Sequence, residues 1–140
     1  MKNNKSDESV PEILYIAYGS NLNLSQMEQR CPTARVIGAS EIKDYELVFR
    51  GSRYSAVATI EPCKGSSVPV LLWGIQTEDE KSLDRYEGYP NFYGKENMEI
   101  VLNGRNVSAM VYVMTPGHEF GIPSERYKIS IKDGYMDAGF

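Results

Sequence analysis

Apolar residues along the chain fall into short runs that alternate with polar, turn-rich stretches. Ile13 to Ala17 is an apolar run with a tyrosine inside it, the composition of a buried strand. Asn23-Leu24-Ser25-Gln26 then has an N-cap residue with a glutamine at the third helical position. The spacing predicts a helix through Met27 to Arg30 that Cys31-Pro32 ends. Thr33 to Phe49 contains two strand-like pieces, ARVIGAS and YELVFRG, and Ser55 to Ile60 alternates small and β-branched residues as another strand would. Val68 to Gln76 is near-continuously apolar and reads as a central strand.

Thr77-Glu78-Asp79-Glu80 has the form of a capping box, a threonine with a glutamate three residues on. It predicts a helix from Glu78 to Tyr86 or Glu87, with Gly88 as its stop and Pro90 preventing continuation. Tyr93 to Leu102 reads as a strand. Asn103-Gly104 is a two-residue hairpin signal, so Arg105 to Met114 is expected to pair back antiparallel. TPGHEFGIP reads as a loop, and Ser124 as the N-cap of a last helix over Glu125 to Asp137. The sum is about six strands and three helices without regular strand–helix alternation. That pattern excludes a doubly wound sheet. It predicts an α+β fold with an antiparallel or mixed sheet able to curl into a barrel, formed by one domain over residues 13–140 behind a flexible tail over 1–12.

Composition narrows the function classes. The 140 residues carry a net charge of -4, with lysines and arginines scattered rather than clustered. Nucleic-acid affinity leans on clustered cations, so no nucleic-acid partner is expected. No apolar segment approaches the ~20 residues that span a bilayer, and MKNNKSDESVPE has no signal-peptide core. The expectation is a cytoplasmic protein with no membrane partner. Cys31 and Cys63 form no C-x-x-C pair and His118 is the single histidine, so no metal site is expected and both cysteines read as reduced and structural.

Three stretches bear chemistry. ILYIAYGSNLN ends a strand on Tyr18, Gly19, Ser20 and Asn21, just before a helix start whose N–H groups are free to meet an anion or oxyanion. A plain turn explains the same residues equally well. Tyr18-Gly19-Ser20-Asn21-Leu22 lacks the second glycine of a nucleophile elbow. A Ser20 hydrolase would need His118 as its base, in a loop where a surface histidine is the ordinary expectation. LDRYEGYPNFY sets Glu87 at a helix C-terminus, where the dipole opposes negative charge, between Tyr86 and Tyr89. It is either a solvated surface glutamate or a carboxyl with a raised pKa. PSERYKISIKDGYMDAGF carries Tyr127 in the first turn of the last helix.

Taken together, in this order and spacing, YIAYGSNL, LDRYEGYPNFY and PSERYKISIKDGY resemble the γ-glutamyl cyclotransferase family, which includes the avirulence-induced-gene-like proteins and the γ-glutamylamine cyclotransferases. The resemblance runs from Ile13 to Phe140 and implies the family's small β-barrel flanked by helices. The E-G-Y-P-x-F-Y context is more similar to the short bacterial and γ-glutamylamine branches than to the animal γ-glutamyl-amino-acid enzyme. Longer members continue past the last helix, whereas this chain ends at Phe140, so any selectivity such an extension supplies is expected to be absent.

The resemblance implies a cofactor-independent reaction on a small γ-glutamyl substrate. The substrate's own α-amine attacks its γ-carbonyl and releases 5-oxoproline and a free amine. Glu87 would be the catalytic acid and base. Tyr18, Gly19, Ser20, Asn21 and Leu22 would form the substrate loop, with Tyr93 and Tyr127 also binding substrate; contacts from Arg85 and Tyr89 stay open. In this reading Ser20 is a binding hydroxyl and not a nucleophile. The alternative is a non-catalytic small-ligand-binding or interaction module of the same fold, which has no need of a carboxyl group at position 87.

Overall fold

The computed structural model describes residues 12–140. The tail expected over 1–12 therefore lies, except for Glu12, outside the described residues. Five strands form one sheet: β1 (Ile13–Ala17), β2 (Arg35–Arg50), β3 (Val57–Ile75), β4 (Tyr93–Leu102) and β5 (Arg105–Met114). A 3-10 turn (Ser20–Leu22) leads into α1 (Leu24–Arg30); α2 (Thr77–Glu87) and α3 (Glu125–Asp137) follow. The strand order is β2-β3-β1-β5-β4. Every ladder is antiparallel except β1 with β5, which run parallel with Tyr15 opposite Met110.

The strand count differs from the expected six because polar interruptions inside β2 and β3 do not end them. EPCKGSS reads as a loop, yet it lies within β3. Lys43 pairs with Ser67 and Tyr45 with Pro62, so the chain between Pro62 and Ser67 bulges out opposite Asp44. Asp44 and Gly65 both take left-handed φ, 65° and 90°, and the Asp44 carboxylate accepts the Gly65 N–H at 3.0 Å. A bulge of this kind inserts residues without breaking the ladder and sharpens the local twist. The barrel is not closed by hydrogen-bonded strands. Its two edges meet through side chains instead: Ser40 donates to the Val101 carbonyl at 2.5 Å, and Leu102 packs against Gly38.

β1 is the central strand, and it packs on both of its faces. Its side chains alternate between two cores, as a period of two requires. Tyr15 and Ala17 join Leu71, Trp73, Ile75, Met27 and Leu83 beneath α1 and α2. Ile16 and Tyr18 join Val70, Leu72, Ile100, Val111 and Ile131 on the other face, beneath α3.

Local signals set most element ends as expected. Asn23 caps α1 by accepting the Gln26 N–H, Ser124 caps α3 by accepting the Tyr127 N–H, and Gly88 stops α2 in the left-handed region at φ 68°. Asn103 and Gly104, at φ 51° and 78°, give the primed turn that joins β4 to β5. The cap of α2 departs by one residue. Gln76 is the N-cap and Asp79, not Glu80, closes the box, because the buried Asp79 carboxylate accepts both the Gln76 N–H at 2.9 Å and the Thr33 hydroxyl at 2.6 Å. A tertiary partner thus selects between two acidic residues that look equivalent locally.

The last helix is pinned to the loop after β1. A Cβ on Gly134 would lie 2.7 Å from the Leu22 Cβ and 2.8 Å from the Asn23 nitrogen. Asn23 also donates its amide to the Ser130 carbonyl at 3.4 Å, and Leu24 donates its N–H to Asp137 at 3.2 Å. Gly134→Ala gains ~1 kcal/mol of helix propensity but forces backbone against backbone, an overpacking that typically costs ~1–3 kcal/mol. We expect a net loss of stability in chemical denaturation, together with displacement of the 3-10 turn seen as amide shift changes at Ser20 to Asn23. A more stable Gly134→Ala protein would show that this contact yields freely.

Candidate active site

Six elements converge on one cavity of about 250 Å³. The end of β1 and its loop contribute Tyr15, Ile16, Tyr18, Gly19, Ser20 and Asn21; α2 contributes Tyr86 and Glu87; β3 contributes Val57 and Ala58; and α3 contributes Tyr127. Phe92, Tyr93 and Tyr112 complete the lining. Six of these side chains are tyrosines, and their hydroxyls are committed to fixed partners. Tyr18 donates to the Tyr112 carbonyl at 2.6 Å and Tyr93 to the Ala58 carbonyl at 2.5 Å. Tyr127 accepts the Ala58 N–H at 3.1 Å, so two tyrosines hold the backbone of one residue of β3. Tyr112 donates to Asp84 at 2.6 Å, and Asp84 is paired with Lys95 at 2.9 Å. Burial pushes the hydroxyls of Tyr15, Tyr18, Tyr93, Tyr112 and Tyr127 above the ordinary tyrosine range, which keeps them neutral.

Glu87 is the exception among these lining groups. Among the described residues its carboxylate has neither a hydrogen-bond nor an ion-pair partner. Burial raises its pKa from 4.5 to about 7, against the lowering influence of the Arg30 charge. Its place as the last residue of α2 acts in the same sense as burial, because a helix C-terminus repels an anion. The result is a carboxyl that exchanges a proton near neutral pH and is free to do so with a bound molecule.

The loop after β1 supplies donors. The 3-10 turn commits the Leu22 N–H to the Gly19 carbonyl at 3.0 Å and the Asn23 N–H to Ser20 at 3.0 Å. The N–H groups of Gly19, Ser20 and Asn21 have no acceptor among the described residues. Side chains fix this loop: Asn21 donates to the Tyr15 hydroxyl at 2.8 Å, and the Ser20 and Tyr86 hydroxyls lie 2.9 Å apart.

The sequence-derived residues divide accordingly. Tyr18, Gly19, Ser20, Asn21, Glu87, Tyr93 and Tyr127 share the cavity. Leu22 does not: its side chain is fully buried in the core and its N–H is already bonded. Arg85 is exposed on the outer side of α2, 3.4 Å from Ser82, and Tyr89 packs edge-on against Tyr112 beneath Lys95. His118 bonds Thr115 at 3.1 Å and abuts the Phe92 ring, while Ser20 is held by Tyr86, so no Ser–His pair exists. Both cysteines are free; the Cys31 thiol points at the Asp79 carbonyl, and burial pushes it up to about 12. No helix among the described residues is long and apolar enough to cross a membrane. Sequence reasoning did not single out Tyr15, Tyr86, Phe92, Tyr112 or Arg30. Tyr15 and Tyr112 lie in apolar strand runs and read there as core, and nothing local distinguishes them.

Comparison with known proteins identifies the family and the fold. The family described as Gamma-glutamyl cyclotransferase, AIG2-like matches residues 15–133. The Homo sapiens Gamma-glutamylcyclotransferase is 29% identical over 140 residues, spanning 90% of this chain and 71% of the human protein. The Bos taurus protein of the same name is 28% identical over 135 residues, with the same shares. A solved Gamma-glutamyl cyclotransferase superposes with a TM-score of 0.85 at 28% identity, covering 92% of this chain and 81% of its own. An AIG2-like protein from Mus musculus shares the fold at 18% identity, with a TM-score of 0.64 and coverage of 76% and 80%.

The unpaired carboxyl has a thermodynamic signature. The folded state holds the Glu87 proton more tightly than the unfolded chain, so stability present below pH ~4.5 is lost as pH rises through about 7. Glu87→Gln removes that loss. The variant should gain on wild type across this interval by on the order of 1–3 kcal/mol, read from urea denaturation at several pH values. A difference that is constant with pH would place Glu87 in ordinary solvent.

Proposed function

The chain belongs to the Gamma-glutamyl cyclotransferase, AIG2-like family, and on that premise we propose that it releases 5-oxoproline and a free amine from a γ-glutamyl amino acid or γ-glutamyl amine. One observation carries the reading. A single titratable carboxyl without a partner shares a small cavity with free backbone donors and is otherwise surrounded by neutral rings.

The chemistry uses these parts in sequence. The substrate's α-ammonium cannot attack until it gives up a proton, and Glu87 takes it. The amine nitrogen then forms a bond to the γ-carbonyl carbon, and the carbonyl oxygen takes the negative charge. The N–H groups of Gly19, Ser20 and Asn21 receive the substrate's anionic oxygens; a donor of this kind typically contributes ~10²–10³ in rate. Collapse breaks the bond to the leaving nitrogen. The ring nitrogen sheds a second proton, and both protons end on the departing amine, relayed by Glu87 one at a time. No water is consumed. Nucleophile and electrophile belong to one molecule, so a cavity that holds the chain bent supplies much of the rate; well-oriented intramolecular attack is worth ~7–11 kcal/mol. Tyr18, Tyr93 and Tyr127 provide that rigid enclosure, and Ser20 binds without acting as nucleophile.

The test is 5-oxoproline release by mass spectrometry, with γ-glutamyl amino acids, γ-glutamylamines and glutathione offered to wild type and variants. Wild type should act on part of the panel and so identify the leaving amine. Glu87→Gln should lose at least ~10²-fold while remaining folded. Ser20→Ala removes one hydrogen bond worth ~1 kcal/mol and should stay within roughly tenfold of wild type. A fully active Glu87→Gln protein would remove Glu87 from the mechanism, and a folded but dead Ser20→Ala protein would revive a serine nucleophile. A folded wild type that acts on nothing in the panel would favour a binding module.

A further inference from the structure

Arg30 ends α1 with its guanidinium between Asn21 of the donor loop, Gln26 of its own helix and Tyr86 of α2. One terminal nitrogen donates to the Asn21 side-chain oxygen at 2.5 Å, and the other donates to Gln26 Oε1 at 2.7 Å. The plane of the group lies over the Tyr86 ring, 3.6 Å from its centroid. Two of the contacts continue into the cavity, and the third reaches α3. Asn21 goes on to the Tyr15 hydroxyl, and Tyr86 goes on to Ser20. Gln26 goes on to Ser130 of α3, the helix that carries Tyr127. Tyr86 also immediately precedes Glu87, so the stack fixes the last turn of α2 from which the carboxyl projects.

We propose that Arg30 is a positioning residue of the cyclotransferase site, holding the donor loop, the Glu87 end of α2 and the Tyr127 helix in one register while setting the charge that Glu87 meets. The inference rests on the reaction proposed above. A planar fork that donates along its edges while stacking through its face can make all three contacts at once, and an ammonium cannot. The groups facing Glu87 from the other elements are Tyr15 of β1, Tyr18 of the loop, Tyr93 of β4, Tyr112 of β5 and Tyr127 of α3, all neutral hydroxyls. Among the described residues Arg30 is the cation that acts on the Glu87 carboxyl, and it lowers the pKa that burial raises.

Two readouts separate this role from simple structural support. The first is the titration of the Glu87 side chain by carbon-13 NMR, which does not depend on turnover. Arg30→Ala should raise the midpoint by roughly 1 unit, and Arg30→Lys, which keeps a cation, should recover most of that shift. The second is kcat/KM for 5-oxoproline release at pH 8.5, where Glu87 is mostly ionised in every variant. There both Arg30→Ala and Arg30→Lys should fall at least tenfold, because neither restores the fork. Arg30→Lys also serves where Arg30→Ala does not fold. An unmoved Glu87 midpoint in a folded Arg30→Ala protein, or an Arg30→Lys protein with the wild-type kcat/KM, would overturn the proposal. A wild type without turnover would sink the proposed reaction, and the NMR midpoint would still judge Arg30.

Discussion

The carboxyl group of Glu87 faces a cavity without a hydrogen-bond partner, and the rest of the site is organised around that exposure of charge to rings. An ionised carboxylate in such half-buried surroundings is unfavourable, because it loses part of its water and no protein donor among the described residues replaces it. The cap of α2 offsets part of the difficulty at the other end of the same helix. The buried Asp79 carboxylate ties Gln76 and Thr33 together there, fixing where α2 begins and so where Glu87 ends it. The Gly88 stop turns the chain away immediately afterwards. A helix held at both ends in this way delivers one side chain to one place.

The cavity is rigid for a related reason. Its tyrosines look like candidates for proton chemistry, but each buried hydroxyl is spent on a fixed partner and held neutral. Tyr18 spans to β5, while Tyr93 and Tyr127 hold the carbonyl and the N–H of Ala58 in β3. These bonds link residues far apart in the chain, so the cavity exists only when sheet and helices are assembled. In the proposed cyclisation, proton transfer then falls to the one lining group that titrates near neutrality.

Much of this was legible in the sequence where the signal is local. Asn103-Gly104, Ser124, Asn23 and Gly88 each determine their element end through a side chain or a φ angle belonging to that residue, and the structure has them where the pattern put them. The YGSN loop and the Glu87 segment pointed to chemistry only through their joint resemblance to the family, because a plain turn and a solvated glutamate explain each of them alone. What was not legible depends on distant partners. Asp79 outranks Glu80 only because Thr33 lies across from it. The β2–β3 bulge hides inside a stretch that looks like a loop, since only pairing with Asp44 reveals it as part of a strand. Tyr15 and Tyr112 look like core until the sheet brings them to one cavity, and Arg30 looks like an ordinary basic residue at a helix end until Tyr86 is placed beneath it.

The account stands on Glu87 carrying protons near neutrality from within this enclosure. The most direct measurement is the pH dependence of kcat/KM for 5-oxoproline release by the wild type between pH 5 and 8. A rise to a plateau with its midpoint near the raised value of about 7 is the predicted result. A profile that is flat over this range, or one already at its plateau by pH 5 as for an ordinary solvated glutamate, would contradict it.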